Sequence, residues 1–537
     1  MVSENERVEG NCAICDKVTK TRCSACQSVF YCCVEHQKSD WSRHKISCHP
    51  FKIETNPEYG RYLVATKDIK AGDIVLKESP LIVGPSQVTP PVCVGCLQKI
   101  DEKRHSECAK CGWLICRSDC QNSLAHKDEC QLTQARGDKV SIKHFYTPHP
   151  TYQCLAVIRA LMLKESAPEK YKKLLELESH DEERKSTEQW DLDSKHIAGF
   201  IIRFFKCESK WSVDEILKVT GILQVNGHEV PLTNPGHIAV YSLASMIEHS
   251  CRNNVAKSFT KQGDIVFWAP NPIKRGERLS ICYSDTMWGT NARQAHLKQT
   301  KFFTCNCVRC EDVTELGTYF SALKCFNSSC DGLILPESLA KWKNNWRMMH
   351  TNNGSFADRC GKCGTSYEFK QVAEILAQAT ADLAKMGKHN EDDCIEYIEK
   401  YSKFLSKNHY LLTEVRISLA QIIGQMGTIQ KIKDSKLYLK LNTAKDLITL
   451  ISKLAPAESR LLGVLHFEVH SALAEIGRRG ASKKNPNFQG ALEESYLHAE
   501  KACNYLRHEP SVLPEGRVRK QAKINADSLK IMLLQGA

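Results

Sequence analysis

Long apolar runs are missing from this sequence. No uninterrupted stretch approaches the roughly 18 residues a membrane-spanning helix needs, and the opening MVSENERVEG is polar, without the apolar segment of a secretory leader. Glycine and proline are sparse, 28 and 18 of 537 residues, which excludes a chain dominated by low-complexity disorder. Neither sign of charge is in large excess: 74 Lys and Arg against 62 Asp and Glu leave +12. Over this length that balance describes a solvated surface and does not establish nucleic-acid binding. The length calls for several domains rather than one core.

Cysteine is the abundant residue, at 27 positions. Without a leader the expected setting is intracellular, in nucleus and/or cytoplasm, with no membrane partner. In such a reducing compartment closely spaced Cys favour metal over disulfides. The first cluster reads Cys12-x2-Cys15, Cys23-x2-Cys26, Cys32-x3-His36, His44-x3-Cys48. Eight ligands make two tetrahedral zinc sites, and residues 12–48 are too few to bury much core, so metal would supply most of their folding free energy. A second cluster repeats the spacing with Cys93-x2-Cys96, Cys108-x2-Cys111, Cys116-x3-Cys120 and His126-x3-Cys130. A third, Cys305-x-Cys307-x2-Cys310, has three ligands and needs a fourth from elsewhere; a fourth pairs Cys325-x4-Cys330 with Cys360-x2-Cys363 as a zinc ribbon. Sites closed by four protein ligands leave no position for water, so this zinc is structural.

Between the first two clusters, β-branched runs at Tyr62–Ala65, Ile74–Leu76 and Leu81–Val83 flank a Lys70-Ala71-Gly72-Asp73 turn. A second β stretch spans Ile265–Trp268, turns at Arg275-Gly276-Glu277 and resumes at Leu279–Tyr283, while Ile197, Phe200, Ile201 and Phe204 have helical spacing. The pattern predicts an α+β domain interrupted by a zinc insert.

The residues around the first ligands, YCCVEHQKSDWSRHKISC, resemble a MYND zinc finger. Gly60-Arg61 followed by LVATKDIKAGDIVLKE, then Glu248-His249-Ser250-Cys251, GERLSICYSD and the CNCVRC tail, resemble a SET domain of the SMYD group. The additional N-terminal finger and the later four-Cys segment are most similar to the arthropod SmydA-type branch. The resemblance implies a MYND finger over 1–50 and a SET domain over 51–285. Within the latter, 51–90 is the first SET part, 91–130 the MYND-like insert, 131–240 a helical SET-I region and 241–285 the SET core. A post-SET segment follows over 286–312, then a zinc-ribbon-like segment over 313–366 and a TPR-like helical array over 367–537.

In the MYND family the ligand pairs interleave. The resemblance thus implies one ion on Cys12, Cys15, Cys32 and His36, and another on Cys23, Cys26, His44 and Cys48. In the insert it implies one on Cys93, Cys96, Cys116 and Cys120, and one on Cys108, Cys111, His126 and Cys130. Cys251 would close the third cluster, giving about six structural ions with the ribbon. Cys33, Cys154, Cys207, Cys282, Cys394 and Cys503 remain as inert small hydrophobes.

SET domains transfer a methyl group from S-adenosylmethionine to a lysine amine of a protein or peptide, histone or not. By resemblance Tyr283 is the tyrosine beside the reacting methyl. His249 would hold the cofactor, Asn226 its amino-acid end, and Phe303 would stack on the adenine. The family's Gly-x-Gly loop reads Gly60-Arg61-Tyr62 here, its Asn-His-Ser-Cys begins with Glu248, and its second channel aromatic aligns with Lys301. These three changes leave open a competing reading, a zinc-stapled interaction scaffold with a degenerate transferase core. The fingers would dock proline-containing peptides in either case.

Towards the C-terminus, Leu412, Val415, Leu419, Ile422 and Met426 fall at steps of three and four, as do Leu462, Leu465, Val469, Leu473 and Ile476. Arg478-Arg479-Gly480 with Lys483-Lys484 reads as a solvated loop first and an acidic-partner site second.

Overall fold

A computed structural model describes residues 9–23, 26, 29–45, 48–57, 60–336, 359–425, 429–482 and 488–534. Met426, Lys483, Lys484 and residues 337–358 of the ribbon segment lie outside the described residues.

The first finger has almost no apolar core. Strands β1 (Gly10–Asn11) and β2 (Val18–Thr19) pair antiparallel, and helix α1 (Val34–His44) follows. The finger's buried apolar side chains, among the described residues, are Cys12, Cys23, Cys26 and Tyr31, whose hydroxyl donates to the buried Asp40 at 2.7 Å. Sulfur fills the positions that leucine takes in a larger domain.

The SET region is a set of small sheets around one core. Its strands are β3 (Phe51–Asn56), β4 (Gly60–Ala65), β5 (Ile74–Glu78), β6 (Ile82–Pro85), β7 (His228–Val230), β8 (His237–Val240), β9 (Glu248–His249), β10 (Ala256–Phe259), β11 (Ile265–Trp268) and β12 (Ser280–Ile281). Strands β3 and β4 form a hairpin in register from Phe51↔Ala65 to Asn56↔Gly60. Strand β11 lies between β10 and β5, and β8 between β6 and β7, all antiparallel. The exception is β9 with β12, a parallel pair that sets Glu248 opposite Ser280 and His249 opposite Ile281. In the turn before β5, Gly72 takes φ +92 and the Asp73 carboxylate accepts the Lys70 N–H at 3.1 Å. Alternate residues Leu63 and Ala65, with Val75, Tyr241, Ile247, Phe259, Phe267 and Leu279, pack the core beneath.

The zinc insert is no tethered appendage. Its Val94, Trp113 and Ile115 share one buried cluster with helices α2 (Lys127–Arg136), α3 (Leu155–Ser166) and α4 (Val213–Asn226). Helix α5 (Thr290–Lys301) then leads out of the SET core.

Seven helices make up the described C-terminal region: α6 (Phe369–Lys385), α7 (Glu391–Tyr401), α8 (Tyr410–Ile422), α9 (Asp434–Leu454), α10 (Ser459–Ser482), α11 (Phe488–Tyr505) and α12 (Pro514–Leu534). From α7 onward each packs against the next in sequence, and none is long and apolar enough to cross a membrane. Arg478 and Arg479 are helical rather than in a loop: they lie near the end of α10 and pair with Glu475 at 2.7 and 2.6 Å. The array docks on the SET core through Asn271 to the Pro456 carbonyl (3.0 Å), Ser258 to the His508 carbonyl (3.0 Å) and the Trp268 ring against His508.

Candidate active site and zinc centres

Backbone spacing delivers the ligand atoms in pairs, and the fold brings pairs together. One ligand atom from each of Cys12, Cys15, Cys32 and His36 lies within 4.8 Å of the other three. The same bound holds for Cys23, Cys26, His44 and Cys48, for Cys93, Cys96, Cys116 and Cys120, and for Cys108, Cys111, His126 and Cys130. Cys251 joins Cys305, Cys307 and Cys310 in a fifth group. In the ribbon, Cys325 and Cys363 sulfurs are 3.6 Å apart, and Cys330 and Cys360 sulfurs 3.9 Å. A tetrahedron of zinc–sulfur bonds of about 2.3 Å has edges of about 3.8 Å. Sulfur separations of 3.5 Å (Cys15–Cys32), 3.6 Å (Cys23–Cys48) and 3.6 Å (Cys96–Cys116) are close to that edge. The thiol-rich donor sets therefore fit Zn²⁺. Cys33 stands at the N-cap position of α1, without a side-chain capping hydrogen bond.

Sequence reading missed the residues that hold these ligands. His126 turns Nε2 to Cys111 (3.3 Å) and Nδ1 to the buried Glu129 carboxylate (2.9 Å). Glu129 is gripped by Arg159, Nε to Oε2 at 3.0 Å and Nη2 to Oε1 at 2.6 Å. Arg159 also donates to the carbonyls of Val94 and Val83, linking insert to β6. Burial alone would raise the Glu129 carboxyl, but Arg159 and His126 outweigh it and hold it below the usual carboxylate range. Behind the third group, Arg293 Nε lies 3.2 Å from the Cys251 sulfur, and Glu315 joins Arg293 to Arg309. These cations offset thiolate charge in a buried place. Arg159, Arg293 and Glu315 stand well away from any ligand in the sequence, and Glu129 and Arg309, next to Cys130 and Cys310, carry no local signature, so only the fold reveals them.

The SET motif residues converge beside that third group. Glu78, at the end of β5, accepts the backbone N–H groups of Ser242, Leu243 and Ala244 at 2.9, 3.0 and 2.9 Å, fixing the turn that leads to β9. His249 Nδ1 accepts the Tyr283 N–H at 2.9 Å. Its Nε2 therefore has the proton and faces the Cys251 sulfur at 3.3 Å. With both nitrogens committed, the ring faces are what His249 can offer a ligand. Its centroid is 5.2 Å from the Tyr283 ring and 5.7 Å from Phe303, and Phe303 meets Tyr283 edge-on at 6.5 Å. Tyr283 donates its hydroxyl to the Ile247 carbonyl at 2.5 Å, and burial, then Glu248, push the phenol well above its ordinary range. The phenol is therefore protonated.

The remaining expected residues lie around this cluster. Gly60 takes φ +64, and among the described residues nothing lies within 4 Å of where a Cβ would stand, so backbone is bare at the hairpin end. Arg61 donates to the Glu176 carbonyl. Tyr62 reaches across the hairpin to Glu54 at 3.1 Å. Glu248 pairs one oxygen with Arg278 at 3.3 Å and buries the other without a hydrogen bond among the described residues; burial raises its carboxyl, which Arg278 and His249 only partly offset. Asn226 ends α4 and spends its amide N–H groups on the Glu178 and Ile222 carbonyls, at 2.7 and 2.9 Å, leaving its oxygen. Lys301 Nζ lies 5.8 Å from the Tyr283 ring centroid.

Residues 12–48 match the MYND finger family and residues 60–284 the SET domain family. The SET domain-containing protein SmydA-8 of Drosophila melanogaster is 27% identical in its isoform B over 394 residues, 69% of this chain and 79% of that protein. Its isoform A is 24% identical over 376 residues, 68% of this chain and 77% of that protein. Histone-lysine N-methyltransferase ASHR1 of Arabidopsis thaliana is 23% identical over 432 residues, 77% of this chain and 84% of that protein. The chain thus joins a MYND finger to a SET domain divided by a second ligand-rich insert and followed by a helical C-terminal region.

Proposed function

We propose that this chain methylates protein lysines with S-adenosylmethionine, on a SET core held in shape by six structural zinc ions. One observation carries the reading: Tyr283, His249 and Phe303 meet in a single cluster, pinned from behind by Cys251 and its partner sulfurs. Histone-lysine methylation is also the activity that ASHR1 is named for. S-Adenosylmethionine, when bound, supplies a methyl group on an electrophilic sulfonium.

The chain's own residues do the rest. The His249 face and the Phe303 ring offer stacking surfaces, and bare backbone at Gly60 leaves room for close approach. Tyr283 has given its only proton to Ile247, so its oxygen lone pairs can accept an N–H from an incoming amine and orient it. An acceptor lysine must be neutral, although its free pKa is about 10.4. Lys257 and Lys301, both half-buried and both held below the usual amine range, bring positive charge that favours the neutral acceptor. The zinc groups take no chemical part; they position the post-SET tail. On the first finger, Val34 and Trp41 are exposed one heptad apart on α1, a face suited to proline-containing peptides.

The test is incubation of a cell lysate with methyl-labelled S-adenosylmethionine and the chain. Label should appear on protein lysines and fall about a hundredfold with Tyr283→Phe, the cost of a misplaced reactant. Equal labelling by both proteins would overturn the role of Tyr283. Absence of labelling alongside intact zinc binding would favour the scaffold.

A further inference from the structure

Helix α5 ends at Lys301, and the next residue, Phe302, takes φ +61. This sharp turn sends both Lys301 and Phe303 to the Tyr283 ring. The Lys301 amine reaches across to the last turn of α4, where its Nζ donates to the Val225 carbonyl at 2.5 Å. Val225 precedes Asn226, and Tyr283 lies on the other side, so an amine of this chain stands over the ring of the tyrosine that the proposed function gives to a substrate amine. Among the described residues it has no ion-pair partner.

The carbonyl takes one N–H. In the neutral amine the nitrogen lone pair stays uncommitted. The charged and titratable groups facing Lys301 are Lys257 on β10, His228 on β7, Tyr283 after β12 and His296 on α5. None is a carboxylate. Burial and then Lys257 bring the Lys301 amine down to about 8, so about a tenth is neutral at pH 7, against less than about a thousandth of a free lysine. His228 is held well below its ordinary range by burial, Lys257 and Lys301, and stays neutral.

We propose that Lys301 is an intramolecular methyl acceptor, a modification site built into the acceptor channel; this rests on the methyltransferase reading above. The Nζ lone pair forms the bond to the donor methyl carbon. The carbon–sulfur bond breaks with its electron pair going to sulfur, which turns the sulfonium into a thioether. The ammonium's surplus proton leaves to water before this attack, so the methylated nitrogen emerges with one positive charge. Methylation keeps the side chain cationic beside the Tyr283 face.

The experiment uses the zinc-loaded full chain with trideuteromethyl-labelled S-adenosylmethionine and no other protein, read by peptide mass spectrometry. The Lys301 peptide should take label at a first-order rate that does not change when the chain is diluted tenfold. Lys301→Arg, which keeps a donor for Val225, should take none there. A rate that falls with dilution would overturn the intramolecular assignment. If lysate lysines are labelled while Lys301 is not, this inference fails and the methyltransferase reading stands; if calorimetry finds no cofactor binding, both fail. A second readout needs no cofactor. Trace acetylation with acetic anhydride across pH should give Lys301 a midpoint near 8, against about 10.4 for exposed lysines. A midpoint at 10 or above would overturn the placement.

Discussion

Glu129→Gln perturbs a single charge that ties a zinc ligand to the SET core. Glu129 has 0% of its surface exposed and Arg159 3%, so neither charge has water to fall back on. The carboxylate accepts two Arg159 hydrogen bonds and one from His126 Nδ1. An amide keeps one acceptor and turns an NH₂ group towards those donors. Neutralising one partner of a buried pair costs about 3–5 kcal/mol. Loss of the histidine's outer partner weakens metal binding about 10–100-fold, or about 1.4–2.7 kcal/mol. The two effects share atoms and do not add, so about 3 kcal/mol is the floor, a large share of a domain's roughly 5–15 kcal/mol. Urea unfolding followed by fluorescence of the buried Trp113 should show an earlier transition, and a chromophoric chelator should draw zinc from the variant faster. Adding Arg159→Met removes the stranded cation, so the double variant should lose less than the two single losses combined. Wild-type unfolding and wild-type zinc release in Glu129→Gln would refute this reasoning.

Three more predictions extend the account. Glu78→Ala strands the backbone N–H groups of residues 242–244, which should lower stability by about 3 kcal/mol in a urea titration. His409, His466 and His498 are depressed by burial to about 3, 3 and 4, so they stay neutral when folded, whereas the unfolded chain protonates them below about 6.5. Their stabilisation is complete above that pH and fades as pH falls towards 4, by about 1.4 kcal/mol per unit for each, so the helical region should have a lower urea midpoint at pH 5.5 than at pH 7.5. Stripping zinc with a strong chelator should unfold residues 12–48, seen as rapid hydrogen exchange there, because so little apolar surface is buried in that finger.

Much of the fold is visible in local patterns. Thiols two or three residues apart can only serve one centre, β-branched runs broken by Lys70-Ala71-Gly72-Asp73 can only be strands around a turn, and three-and-four spacing marks helices. What local patterns hide is everything that depends on distant packing. Strands expected over Leu279–Tyr283 shrink to Ser280–Ile281, because parallel pairing with β9 uses only two residues. The insert shares its core with helices α3 and α4, which follow it only after long intervening segments, and spacing cannot express that. Arg478 and Arg479 resemble a loop in isolation; ion pairs to Glu475 one turn earlier keep them helical. At the site, motif resemblance points to Tyr283 and His249. The pairing of His249 Nε2 with Cys251 and the reach of Lys301 to Val225 emerge only once helices α4 and α5 face one another.

The central claim is that the cluster of Tyr283, His249 and Phe303 is a binding place for a sulfonium methyl donor. Titration calorimetry of the zinc-loaded chain with S-adenosylmethionine tests it most directly. Saturable heat at one molecule per chain is expected; a flat titration up to millimolar ligand, with six zinc ions still bound, would rule out such a binding place.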